Sequence, residues 1–71
     1  MARFCVVRLN EDPSDTHAAG DLMDAWDLAL PDPADSVEFG WVEAPDAGAA
    51  RLIRPAYWLP VEGRQRAELE S

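Results

Sequence analysis

Seventy-one residues with six arginines, no lysine and fourteen carboxylates make one small domain of formal net charge −8. That charge excludes autonomous binding to DNA, RNA or an anionic membrane, and a chain this short buries only roughly 60% of its unfolded surface, leaving little room for a substrate cleft. One cysteine, Cys5, and one histidine, His17, exclude an internal disulfide and a thiolate zinc cluster.

The chain begins with a strand over Arg3–Leu9, where Phe4-Cys5-Val6-Val7 is β-branched and aromatic in character. Its apolar stretch is too short for a signal peptide and Arg8 interrupts it; no run approaches the ~20 residues of a membrane span. Asp12-Pro13-Ser14-Asp15 carries the signals of a helix start: a capping carboxylate, proline at the first helical position, and a second acid in the first turn. The spacing predicts a helix over Pro13–Ala29. Ala18, Leu22, Ala25, Trp26 and Ala29 fall on its core side, and His17, Asp21, Asp24 and Asp27 on its solvent side. Gly20 inside this helix costs about 1 kcal/mol relative to alanine. Pro31-Asp32-Pro33 follows as a stiff loop.

A second strand is expected over Val37–Glu43, with Val37, Phe39 and Trp41 on one face and Glu38 and Gly40 on the other. Ala44-Pro45-Asp46-Ala47-Gly48 reads as a turn, Ala50–Arg54 as the returning strand of a hairpin, and Tyr57-Trp58-Leu59 as its resumption after Pro55. Residues 61–71 read as a short helix or a loose tail. The expected fold is α+β: a single domain over 1–71, β-α-β-β, with a three-stranded antiparallel sheet of order 1-3-2 and one helix on one face. The other face is left to Tyr57 and Trp58, to the tail, or to a partner.

The sequence offers little for catalysis. Cys5 lies in an apolar strand and reads as a small buried hydrophobe rather than as a nucleophile. His17 and Asp21, four apart on the expected helix, supply only two ligands where catalytic zinc wants three. Asp32, Asp35, Glu38 and Glu43 do not match a calcium loop. No phosphate loop or nucleophile elbow is present, and no cofactor, metal or catalytic residue is expected.

The charge pattern is more informative. Between Leu9 and Ala50 there is no basic residue, and eleven carboxylates stand there. Asp21, Asp24 and Asp27, three apart, would form a row about 9 Å long on the expected helix. Asp32, Asp35 and Glu38 extend it. Duplex DNA carries one phosphate per roughly 3.4 Å along each strand, a density that such a row can imitate. Aspartate outnumbers glutamate in the chain, and its shorter side chain holds charge closer to the backbone. The implied partner is a basic nucleic-acid-binding protein.

A very short, acidic, single-domain α/β chain with a carboxylate-laden helix, in an arginine- and alanine-rich composition typical of GC-rich coding, resembles the small phage-encoded anti-CRISPR proteins. It looks most like the acidic DNA-mimic inhibitors of type I, Cascade-class systems. The resemblance rests on size and charge over the whole chain. It implies a monomeric, non-enzymatic inhibitor in the cytoplasm of a bacterial host cell, blocking DNA recognition by a Cascade subunit through Asp21, Asp24 and Asp27, with Asp32, Asp35 and Glu38 as outer members. Arg51 and Arg54 depart from an all-acidic surface. The alternative is an antitoxin- or immunity-type module that occludes a toxin or enzyme with aromatic anchors. Exposure of Trp41, Tyr57 and Trp58 separates the two: buried aromatics under an acidic surface suit mimicry, and an exposed aromatic patch suits the module.

Overall fold

The computed structural model describes residues 1–29 and 36–70. Its elements are β1 (Ala2–Leu9), β2 (Thr16–Ala19), α1 (Leu22–Ala29), β3 (Val37–Ala44), α2 (Ala47–Ala50), β4 (Leu59–Pro60) and α3 (Gly63–Glu70). The strands form one antiparallel sheet of order β2-β1-β3-β4. The fold is α+β, as expected, but among the described residues it has four strands rather than three and three helices rather than one.

The main correction lies between Leu9 and Leu22. The expected helix over Pro13–Ala29 starts only at Leu22, and its first part is a turn followed by β2. Asn10 and Glu11 both take positive φ, 54° and 58°, and the Asp12 N–H donates to the Leu9 carbonyl at 3.0 Å. Two consecutive left-handed residues make the mirror-image turn whose twist suits a hairpin. Asp12 does accept backbone and hydroxyl hydrogen bonds, but from Ser14, at 2.9 and 2.7 Å, which closes a turn rather than a helix. Asp, Pro and Ser serve both structures with the same local hydrogen bond. β2 then pairs with β1 over Cys5↔Ala19 to Arg8↔Thr16, and Gly20 lies between β2 and α1, outside any helix.

The hidden strand also overturns the 1-3-2 order. With β2 running back along β1, α1 starts from the opposite end of the sheet. It delivers β3 antiparallel to β1, so the two pair directly from Ala2↔Ala44 to Leu9↔Val37. No returning strand has to separate them. The stretch expected as that strand, Ala50–Arg54, instead closes α2, whose N-cap Asp46 accepts from the Ala49 N–H at 2.8 Å. After it, only Leu59 and Pro60 pair with β3, so the strand expected at Tyr57-Trp58-Leu59 is largely absent. The loop expected at Pro31-Asp32-Pro33 lies outside the described residues.

Alternation along β1 and β3 feeds two cores. On the first face, Cys5, Val7, Leu9, Val37 and Phe39 pack beneath Ala25, Trp26 and Ala29 of α1. Val61 is buried in the same cluster, with Leu69 of α3 against it. On the second face, Val6, Ala18, Val42 and Ala44 pack with Ala50 of α2, and half-buried Phe4 and Trp58 flank them. Ala18, expected beside Trp26, is therefore on the opposite side of the sheet. The tail covers the α1 face, and α2 with Trp58 covers the other. Gly40 belongs to the second face, where the chain after α2 crosses it; a Cβ there would sit 2.5 Å from the Pro55 Cβ.

Candidate functional site

α1 owes its start to Asp21, whose side chain accepts from the Asp24 N–H at 2.8 Å while its carbonyl accepts from the Ala25 N–H at 3.1 Å. This is an N-cap, with Asp24 as a second carboxylate at the positive end of the helix dipole. Ala25, Trp26 and Ala29 are buried, which turns Asp24 and Asp27 to solvent. Asp21, Asp24 and Asp27 are all exposed, and none has an ion-pair partner among the described residues. The chain therefore brings these three together, with Asp21 as the cap rather than a mid-helix residue. Met23 and Leu28, exposed by 56% and 58%, share the solvent side of the helix with the two aspartates. The expected row is thus interleaved with apolar side chains, a feature visible in the sequence as Met23 and Leu28 lying off the core stripe.

The outer members do not all join this row. Glu38 is half-buried and its carboxylate accepts from Arg8 at 2.6 Å on the second sheet face, away from α1. Asp32 and Asp35 lie outside the described residues. Three other carboxylates of the basic-free window have structural work: Asp12 closes the β1–β2 turn, Asp46 caps α2, and Asp15 lies 3.0 Å from His17 Nε2. Hydrogen bonds from Ser14 hold the Asp12 carboxyl below the ordinary carboxylate range. Three arginines stand over aromatic faces, Arg3 over Trp41 at 4.2 Å, Arg8 over Trp58 at 4.3 Å and Arg66 over Trp26 at 5.9 Å.

The aromatics divide. Trp26 is buried in the first core and Trp58 is half-buried in the second. Trp41 is 37% exposed, Leu59 41% and Tyr57 69%, and these three border a shallow hollow beside Gly40 at the β3–β4 edge. An apolar edge patch therefore exists alongside the acidic helix face: the exposure of Trp41 and Tyr57 suits the aromatic-anchored module, and the exposed aspartates of α1 suit mimicry. Sequence reasoning named its members but could not place them together, because their meeting depends on the chain crossing Gly40.

Cys5 is fully buried, and burial, helped by the negative charge of Asp21, pushes its thiol up to about 11. It is a neutral core residue at physiological pH. His17 lies on β2 opposite Val7 and bonds Asp15, so the helical His17–Asp21 pair does not form. Among the described residues no group of three or more His, Cys, Asp or Glu side chains could hold a metal ion, and no helix is long and apolar enough to cross a membrane. Comparison with family models, curated proteins and solved structures finds no match.

Proposed function

We propose that this chain is a non-catalytic binding domain that docks the solvent face of α1 on a basic, nucleic-acid-binding surface of another protein, standing in for DNA charge. The observation that carries the reading is the pair Asp24 and Asp27: exposed, without ion-pair partners among the described residues, and held on a capped helix anchored by Trp26. Arg3 and Arg8, the arginines nearest in sequence, are engaged with Trp41, Trp58 and Glu38 rather than with these aspartates, while Arg66 of the tail stands 5.9 Å over the Trp26 ring of the same helix. Met23 and Leu28 add apolar contacts beside the charges, which a protein surface can desolvate. Complementary fields of this kind raise the association rate and set register. By its resemblance in size and charge, the target is the DNA-reading surface of a type I Cascade complex and the outcome is inhibition.

The test is a pull-down from bacterial lysate at low salt, with and without competing duplex DNA, using wild type and the Asp24→Arg/Asp27→Arg protein. Both substitutions face water, so the variant should stay folded. Wild type should capture a nucleic-acid-binding protein that DNA displaces, with affinity falling steeply as salt is added. The variant should associate far more slowly. Equal binding by the folded variant, or affinity indifferent to salt, refutes the reading.

The exposed edge patch of Trp41, Tyr57 and Leu59 favours a second reading, an antitoxin- or immunity-type module anchored by aromatics. Under it, Tyr57→Ala would abolish binding that Asp24→Arg/Asp27→Arg leaves intact.

A further inference from the structure

On the second sheet face Arg8, Arg51 and Arg54 line a groove with a cavity of about 380 Å³. Half of the chain's six arginines meet there, in a protein of net charge −8. The fold assembles them from distant positions: Arg8 comes from β1, Arg51 caps the C-terminal end of α2, and Arg54 follows three residues later. No carboxylate lines the groove among the described residues. Glu38 bonds Arg8 from the neighbouring strand, and neither Arg51 nor Arg54 has an ion-pair partner among the described residues. The Arg8 guanidinium is fixed on two sides, by Glu38 at 2.6 Å and by the Trp58 ring at 4.3 Å. Trp58 also forms part of the wall, and Leu52 and Ile53, both exposed, extend it as an apolar lip.

We infer that this groove binds a small organic phosphate monoester, its phosphate held by Arg51 and Arg54 and its apolar body lying against Leu52, Ile53 and Trp58. Three guanidinium charges less the one balanced by Glu38 leave two, which matches the roughly −1.5 to −2 of a phosphate monoester at neutral pH. The planar guanidinium fork fits phosphate oxygens in pairs. The cavity is of the size that small-molecule sites have, roughly 300–1,000 Å³. A polymeric phosphate does not suit it. The groove lining itself carries only arginine charge, but a strand leaving the groove runs over the acidic remainder of the surface, beyond the Debye length of about 8 Å over which that charge acts. A compact anion feels only the local charge. This site is separate from the α1 face and does not depend on the function proposed for that face.

The test titrates the isotope-labelled chain with phenyl phosphate and follows the Trp58 indole and the arginine side-chain N–H resonances by NMR. Saturable shifts at Trp58 and Arg8, at millimolar concentration or below, are expected, with inorganic phosphate at least about tenfold weaker and phenol without effect. Arg51→Gln/Arg54→Gln, two exposed substitutions that leave the backbone spectrum unchanged, should abolish the shifts. The inference is overturned by absence of saturation up to about 10 mM, by equal affinity in the double variant, or by inorganic phosphate binding as well as phenyl phosphate. A short DNA duplex that shifts the same resonances more strongly also overturns it, since the ligand would then be a polymer.

Discussion

Gly40 is where a single added carbon should reveal how the second half of the chain is held. Its missing side chain leaves room for Pro55, whose Cβ and Cγ would lie 2.5 and 2.7 Å from an added Cβ; the Tyr57 carbonyl oxygen would lie 3.0 Å away. All three belong to one stretch of backbone or to a rigid ring, so relief requires lifting the segment from β3. Glycine in a strand interior ordinarily costs roughly 0.5–1 kcal/mol relative to alanine, so without this crossing Gly40→Ala would stabilise the protein. Overpacking typically costs about 1–3 kcal/mol, and lifting the segment also exposes buried Pro55 and endangers the Leu59–Phe39 pairing. We expect a net loss of about 2 kcal/mol. For a domain this small that lowers the melting temperature by roughly 10 °C, since each kcal/mol shifts it by about 4–8 °C. Thermal unfolding followed by tryptophan fluorescence gives the number. Pro55→Gly removes both ring carbons, so Gly40→Ala/Pro55→Gly should lose less than the two single changes together, with a coupling of at least about 1 kcal/mol. A Gly40→Ala protein as stable as wild type, or strict additivity in the cycle, would refute the crossing.

Three further outcomes are expected. Trp26→Ala should destabilise by roughly 3–5 kcal/mol in a denaturant titration, whereas Trp26→Phe should cost much less, because the buried indole N–H has no hydrogen-bond acceptor among the described residues. The Cys5 thiol is raised in the folded chain, so the stability linked to it is full below the unfolded thiol value of about 8.5 and is lost as pH rises towards about 11. Alkaline titration of stability should show this loss in wild type and not in Cys5→Ala, and a thiol reagent should label native Cys5 only at the rate of unfolding. Glu11 holds a φ of 58°, a region glycine enters without steric cost; Glu11→Gly should therefore raise stability by about 0.5–1 kcal/mol, and a measured loss would show that its side chain has a contact worth more than the strain.

How far the sequence could be read depended on whether a local signal had one structural meaning. A β-branched apolar run and strict alternation each do: β1 lies where the run Phe4–Val7 places it, and β3 where the alternation of Val37–Glu43 does, with Val37 and Phe39 facing one core and Glu38 and Gly40 the other. The buried stripe of α1 was likewise legible at Ala25, Trp26 and Ala29, because a 3.6-residue period survives even when the helix proves shorter than expected. The exposed positions of Asp24 and Asp27 follow from that stripe, so this part of the candidate site came from sequence.

Asp12-Pro13-Ser14-Asp15 was ambiguous in kind. A carboxylate that accepts from an N–H two or three residues on can close a turn or cap a helix, and proline fits either. Tertiary structure settled it, because Thr16–Ala19 gains a full ladder against β1 that a helix at the same place would forgo. That choice reversed the direction in which α1 crosses the sheet and made β1 and β3 direct neighbours. The pairing of Glu38 with Arg8, the meeting of Arg8 with Arg51 and Arg54, and the patch of Trp41, Tyr57 and Leu59 all follow from chain crossings between residues far apart in sequence. Local pattern carries periodicity and hydrogen-bonding preference. Strand polarity and long-range neighbours are set by which arrangement buries both sheet faces, and only the folded chain decides that.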